Sequence, residues 1–71
     1  MKRGDLVCLR EDHKYVGVVL SDAFPSDFYK DSSSHERWYS CSVLWNKPLP
    51  SYYGAKGIEC EMIIEHLVMI S

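Results

Sequence analysis

The sequence predicts an all-β fold, a small and strongly curved five-stranded barrel, on three observations. The chain opens with a turn followed by an apolar strand, Gly4-Asp5-Leu6-Val7-Cys8-Leu9. It closes with a polar corner followed by another, Glu65-His66-Leu67-Val68-Met69-Ile70. Between them lie two further strand signals, Val16-Gly17-Val18-Val19-Leu20 and Tyr39-Ser40-Cys41-Ser42-Val43-Leu44-Trp45. Short apolar or alternating runs separated by turn-rich segments are the mark of a small β domain.

Residues 5–10 form the first strand. Alternation sends Val7 and Leu9 to the core and leaves Leu6 to cover an open barrel end. Residues 11–14 are a solvated loop. In residues 15–20, Val16, Val18 and Leu20 point one way and Tyr15, Gly17 and Val19 the other. Gly17 in so apolar a strand marks a bulge, a sharp coil or a close backbone approach, and such a bend lets Val19 change faces. Residues 21–37 read as a long polar loop carrying Phe24, Pro25, Phe28 and Tyr29, with one helical turn over 26–30, capped by Ser26, as an option. Residues 38–45 give the clearest strand. Tyr39, Cys41, Val43 and Trp45 share its inward face, because Ser40 and Ser42 make the other more solvent-like.

Two prolines and two glycines keep residues 46–57 out of a regular central strand, with local pairing over 51–53 the exception. Ile58, Cys60 and Met62 alternate with Glu59 and Glu61 as a half-buried strand. Residues 63–67 make one tight helical turn, and 68–70 close the sheet. A helix over 61–69 competes, but the isoleucines and valines and the missing C-terminal cap favour turn plus strand. The expected core is Val7, Leu9, Val18, Leu20, Tyr39, Cys41, Val43, Trp45, Ile58, Cys60, Leu67 and Val68.

The chain of 71 residues suits one domain, residues 1–71, with one small core. A core of that size favours a shallow binding surface over a deep active-site cavity. Eight basic and ten acidic side chains give a formal charge of -2. No basic block exists beyond Lys2-Arg3, whereas nucleic-acid binding rests on a concentrated positive stripe. Folding could still gather Arg10, Lys14, Lys30 and Arg37. The three cysteines are odd in number and widely spaced, which points to a reducing cytoplasm rather than a disulfide framework. No apolar run reaches the length of a signal peptide or a membrane span, so no membrane partner is expected.

Chemistry-bearing patterns are weak. Cys8, Cys41, Cys60, His13, His35 and His66 form no paired ligand unit, so neither a metal nor any other cofactor is expected. Small buried side chains account for Cys41 and Cys60. A cysteine, a histidine and an aspartate can be picked from almost any mixed chain, and Glu59 and Glu61 face water together, so no catalytic residue is assigned and the chain is read as noncatalytic. No phosphate-binding glycine pattern exists. The aromatics say more, since five tyrosines and two tryptophans are many for this length. Trp45 and Tyr39 fill the core in this reading. Trp38, Tyr52 and Tyr53 border loops, and with Phe24 and Phe28 of the long loop they are the candidate protein-binding residues. The alternative is a nucleic-acid surface in which Lys14 and Arg37 supply charge while Trp38 and Tyr53 supply stacking. An exposed barrel edge, or residues 49–53, offers a route to a homodimer.

Three segments together resemble the SH3-like barrel superfamily: Lys2-Arg3-Gly4-Asp5-Leu6-Val7, then Gly17-Val18-Val19, then Ile63-Ile64-Glu65-His66-Leu67 before Val68-Met69-Ile70. Within it the chain is similar to small barrel proteins of tailed phages, including cyanobacterial phages, and more distantly to the photosystem I PsaE-type barrel. The resemblance implies a five-stranded SH3-like barrel with long loops and a short helical turn before the last strand. It implies binding through surface loops, and a phage-encoded accessory protein acting on a host or viral protein in the host cytoplasm. The proline-binding groove of signalling SH3 domains is only loosely echoed by Tyr15, Trp38, Pro50 and Tyr53, so proline-rich recognition is not implied.

Overall fold

The computed structural model describes residues 1–31, 33, 35–53 and 57–70, with Tyr52 by its backbone alone. Among them six strands form: β1 (Leu6–Leu9), β2 (Val16–Val19), β3 (Phe24–Tyr29), β4 (Arg37–Trp45), β5 (Glu59–Ile63) and β6 (Leu67–Met69). Two three-residue 3-10 turns, Ser51–Tyr53 and Ile64–His66, complete the regular structure. Every pairing is antiparallel.

The long strand β4 organises the sheet. Ser40 pairs with Phe24 of β3 and with Ile63 of β5, while Val43 pairs with Val19 of β2 and with Cys60 of β5. So β5 runs along one edge of β4, and β2 and β3 follow one another along the opposite edge. β1 pairs with β2 on one side and β6 on the other, setting Leu6 against Val18 and Val7 against Met69. Gly4, at φ 95°, makes the turn into β1, and its N–H donates to the Val19 carbonyl at 2.7 Å.

This is a correction to the expected five-stranded SH3-like barrel, because the sheet has six strands and is not closed. In a barrel every strand has two neighbours. Among the described residues β3, β5 and β6 each pair with one strand only. Among the described residues no α-helix precedes β6, and the corner is the 3-10 turn Ile64–His66. The Leu67 N–H closes that turn on the Ile64 carbonyl.

The extra strand comes from residues 21–37, the expected loop, and the optional helical turn over 26–30 does not form. Phe24-Pro25-Ser26-Asp27-Phe28-Tyr29 lacks an apolar alternation, which is why it reads as a loop. Pro25 has no N–H, but an edge strand tolerates that. From Val19 to Phe24 the chain advances five residues while β4 advances three, from Val43 to Ser40, so two extra residues make a kink. A second irregularity lies between Pro25 and Tyr29, where the buried Ser26 hydroxyl accepts the Phe28 N–H at 3.1 Å.

The core is Val7, Leu9, Val19, Cys41, Val43, Trp45, Leu49, Met62 and Leu67, with Met1, Tyr15, Tyr53, Cys60 and Ile64 packed against it. Val7, Leu9, Cys41, Val43, Trp45 and Leu67 stand where the sequence puts them. β2 takes the opposite phase from the expected one, so Val19 is buried and Val18 and Leu20 are half-buried. Gly17 fixes that phase. A Cβ on it would lie 2.6 Å from Val43 Cγ1 and 2.9 Å from the Leu44 carbonyl oxygen, so only glycine lets β2 approach β4 this closely. Tyr39, Ile58 and Val68 are exposed rather than buried, and Met62 takes the place in β5 expected of Ile58 and Cys60. Leu49, between two prolines, is an unforeseen core residue that pins residues 48–53 to the sheet.

Candidate functional site

Segments distant in sequence meet around one cleft of about 450 Å³. β3 brings Asp27 and Phe28, β4 brings Ser40, and β5 brings Glu61, Met62 and Ile63. Glu11 comes from the β1–β2 loop, Tyr53 from the first 3-10 turn and His66 from the second. The anchoring is local and physical. Buried Leu49 and the Tyr53 N–H bond to the Pro50 carbonyl at 3.1 Å hold the first turn. The Tyr53 hydroxyl then donates to Glu11 Oε2 at 3.0 Å, and its ring meets His66 edge-on with centroids 5.8 Å apart. Phe28, held by the Ser26 hydroxyl, is 66% exposed.

The cleft is therefore acidic and aromatic. Among the described residues Glu11, Asp27 and Glu61 line it, and no lysine or arginine does. Among the described residues no group of three or more histidine, cysteine or acidic side chains is arranged to hold a metal ion. The thiols lie elsewhere. Burial pushes the Cys41 thiol above its ordinary value of 9.0. Burial likewise raises Cys60, against the opposing effect of the Trp45 indole N–H, which donates to Cys60 Sγ at 3.2 Å. Both shifts run opposite to those that activate a thiolate.

A second cleft of about 480 Å³ has the other charge sign. It is lined by Pro25, Lys30, His35, Glu36, Arg37 and Tyr39. Arg37 lies over the Tyr29 ring at 5.1 Å and donates from Nη2 to the Tyr29 hydroxyl at 3.3 Å. Lys30 Nζ lies 5.5 Å from the Trp38 ring centroid and 4.0 Å from Glu36 Oε2.

Of the expected protein-binding residues, Phe28 and Tyr53 meet in the acidic cleft. Phe24 is half-buried in β3 opposite Ser40, and Trp38 is half-buried under Lys30. The Tyr52 side chain lies outside the described residues. The four residues of the nucleic-acid alternative are not brought together. Lys14 is held at the Asn46 end of β4 by the Asn46 Nδ2 bond to its carbonyl at 3.4 Å, and Arg37 stands at the other end. Nine strand residues separate the two by up to roughly 30 Å of extended chain. Sequence reasoning missed Asp27, Glu61 and His66 as cleft residues. Each comes from a different segment, and no local pattern signals their meeting.

Comparison with protein-family models, curated proteins and solved structures finds no match. The resemblance to tailed-phage and PsaE-type barrels is corrected on both counts, since the open six-stranded sheet is not their architecture and no match ties the chain to either. No helix among the described residues is long and apolar enough to cross a membrane.

Proposed function

We propose that the chain is a noncatalytic binding module that receives a basic segment of another protein in the acidic cleft. The observation that carries this reading is the convergence of Glu11, Asp27 and Glu61 with the exposed ring of Phe28 around one cleft. Carboxylates attract an ammonium or guanidinium group. The rings of Phe28 and Tyr53, with Ile63, offer apolar surface to the carbon stem beneath that charge. A reducing cytoplasm suits such a module, because Cys8, Cys41 and Cys60 are all free thiols.

Titrating the protein with a capped peptide of alternating arginine and leucine tests it. The amide resonances of Glu11, Phe28, Glu61 and His66 are expected to shift together, less so at high salt. Phe28→Ala is expected to weaken binding about ten-fold, and a glutamate-for-arginine peptide to leave the spectrum unchanged. Shifts absent at about millimolar peptide, or confined to other residues, overturn the reading.

A nucleic-acid reading has one observation in its favour, the second cleft with Lys30, His35, Arg37 and the ring of Tyr39. It is the weaker, because Lys30 already faces Glu36 and the chain carries net charge -2. Saturable, salt-sensitive binding of an oligothymidine that shifts Arg37 and Tyr39 but not Glu61 would reverse the order.

A further inference from the structure

Among the described residues the sheet has three edge strands, and they differ in how they receive a neighbour. β3 carries Pro25, which has no N–H to donate, and its register with β4 is broken between Pro25 and Tyr29. β5 carries Glu59 and Glu61, both exposed. Prolines, irregular register and charges are the means by which natural sheet edges refuse another strand. β6 has none of them. Leu67-Val68-Met69-Ile70 holds no charge and no proline, and its register with β1 runs unbroken through Val7↔Met69, Cys8↔Val68 and Leu9↔Leu67.

The backbone of that edge is aimed outward. The Ile70 N–H donates to the Leu6 carbonyl at 2.8 Å, and the Arg10 N–H to the His66 carbonyl at 2.9 Å. Antiparallel pairs alternate, so Val68 turns its N–H and C=O toward β1 and Met69 turns both away. The side chains agree. Leu6, Val68, Met69 and Ile70 are between 37% and 53% exposed. The register sets Ile70, Leu6, Val18 and Leu44 in one apolar row across four neighbouring segments, ending at this edge.

We propose that β6 pairs antiparallel with β6 of a second copy of this chain, about a two-fold axis between the two Met69 residues. Each Met69 N–H then donates to the other copy's Met69 carbonyl, and Val68 of one copy stands opposite Ile70 of the other, joining the two apolar rows. The choice of a second copy rests on charge and on area. An isologous contact sets a strand against itself, which an uncharged edge bears and the glutamates of β5 do not. An apolar patch of this kind spans on the order of 300–600 Å², short of the about 800 Å² per partner of a stable complex. Main-chain bonds between strands supply the remainder, and the dimer is weak and concentration-dependent.

Sedimentation equilibrium from about 10 μM to about 1 mM reads the association, and amide hydrogen exchange on the same samples reads its place. The expected result is a mass rising toward twice the monomer, with exchange at Met69 slowing severalfold over that range. Val68→Glu with Ile70→Glu is expected to abolish association, whereas Val68→Lys with Ile70→Glu, which sets opposite charges across the two-fold, retains it. Circular dichroism melts check that both variants fold. A monomeric mass throughout overturns the proposal, as does a dimer in which Met69 exchange stays constant. Loss of the dimer in both folded variants overturns the register.

Discussion

The two halves of β4 obey the same alternation and end in opposite environments. At one end Val43 and Trp45 are buried between β2 and β5, and the Trp45 indole is bonded to Cys60. At the other, Tyr39 is 49% exposed and Trp38 lies half-buried under Lys30. Tyr39, Cys41, Val43 and Trp45 fall on one face by count, so periodicity alone does not decide burial. What decides it is which strands stand alongside. Residues 43–45 have β2 and β5 beside them, with Leu49 and Leu67 completing the cluster. Among the described residues Tyr39 pairs with no strand but β3. The buried half carries the stability, and the exposed half is left free to shape the two clefts.

The largest test of that contrast is Val43→Asp. Val43 is fully buried and sits against Gly17, so an aspartate there would be charged and unpaired among apolar neighbours. The expected loss is more than about 4 kcal/mol, comparable to the whole stability of a domain this small. A thermal melt of the variant should show no cooperative transition. A folded variant would mean that the β2–β4–β5 half does not hold the sheet.

The next test is Gly17→Ala. The new methyl would meet Val43 Cγ1 at 2.6 Å and the Leu44 carbonyl oxygen at 2.9 Å. The side chain can rotate, but the carbonyl belongs to the ladder and cannot, so β2 must move away from β4. The expected cost is about 1–3 kcal/mol, read as a lower urea midpoint with an unchanged slope. A neutral result would show that β2 has slack against β4 and that glycine is not what sets the phase of Val19.

The same contrast explains what the sequence reveals and what it hides. The runs around Val7, Val43 and Leu67 are legible because burial on one face leaves a period-two trace. β3 is not, because its two irregularities and Pro25 erase alternation, and its buried position is a serine satisfied by its own backbone neighbour. Openness of the sheet is equally hidden. It depends on whether the end strands find a second neighbour, and β6 looks the same in sequence whether paired once or twice. In the acidic cleft, aromatic Phe28 and Tyr53 stand out by type and by loop position. Asp27, Glu61 and His66 look like ordinary solvated charges, and only the pairing of β3 and β5 with β4 and the 3-10 turn before β6 bring them beside those rings.

The smallest expected effect belongs to Tyr39→Ala, and it sharpens the comparison most. A tyrosine on the inward face of a strand would cost about 3–5 kcal/mol when cut to alanine if it were buried as Trp45 is. Tyr39 instead stands opposite Pro25 at the exposed end, lining the second cleft. Its ring contributes at most one partly exposed cross-strand pair, so the expected cost is about 1 kcal/mol or less. Urea midpoints of Tyr39→Ala and of the unaltered chain, measured side by side, should nearly coincide. A loss near that of a buried aromatic would mean that the β3–β4 hairpin is energetically part of the core. The two halves of β4 would then differ in exposure but not in their share of the stability.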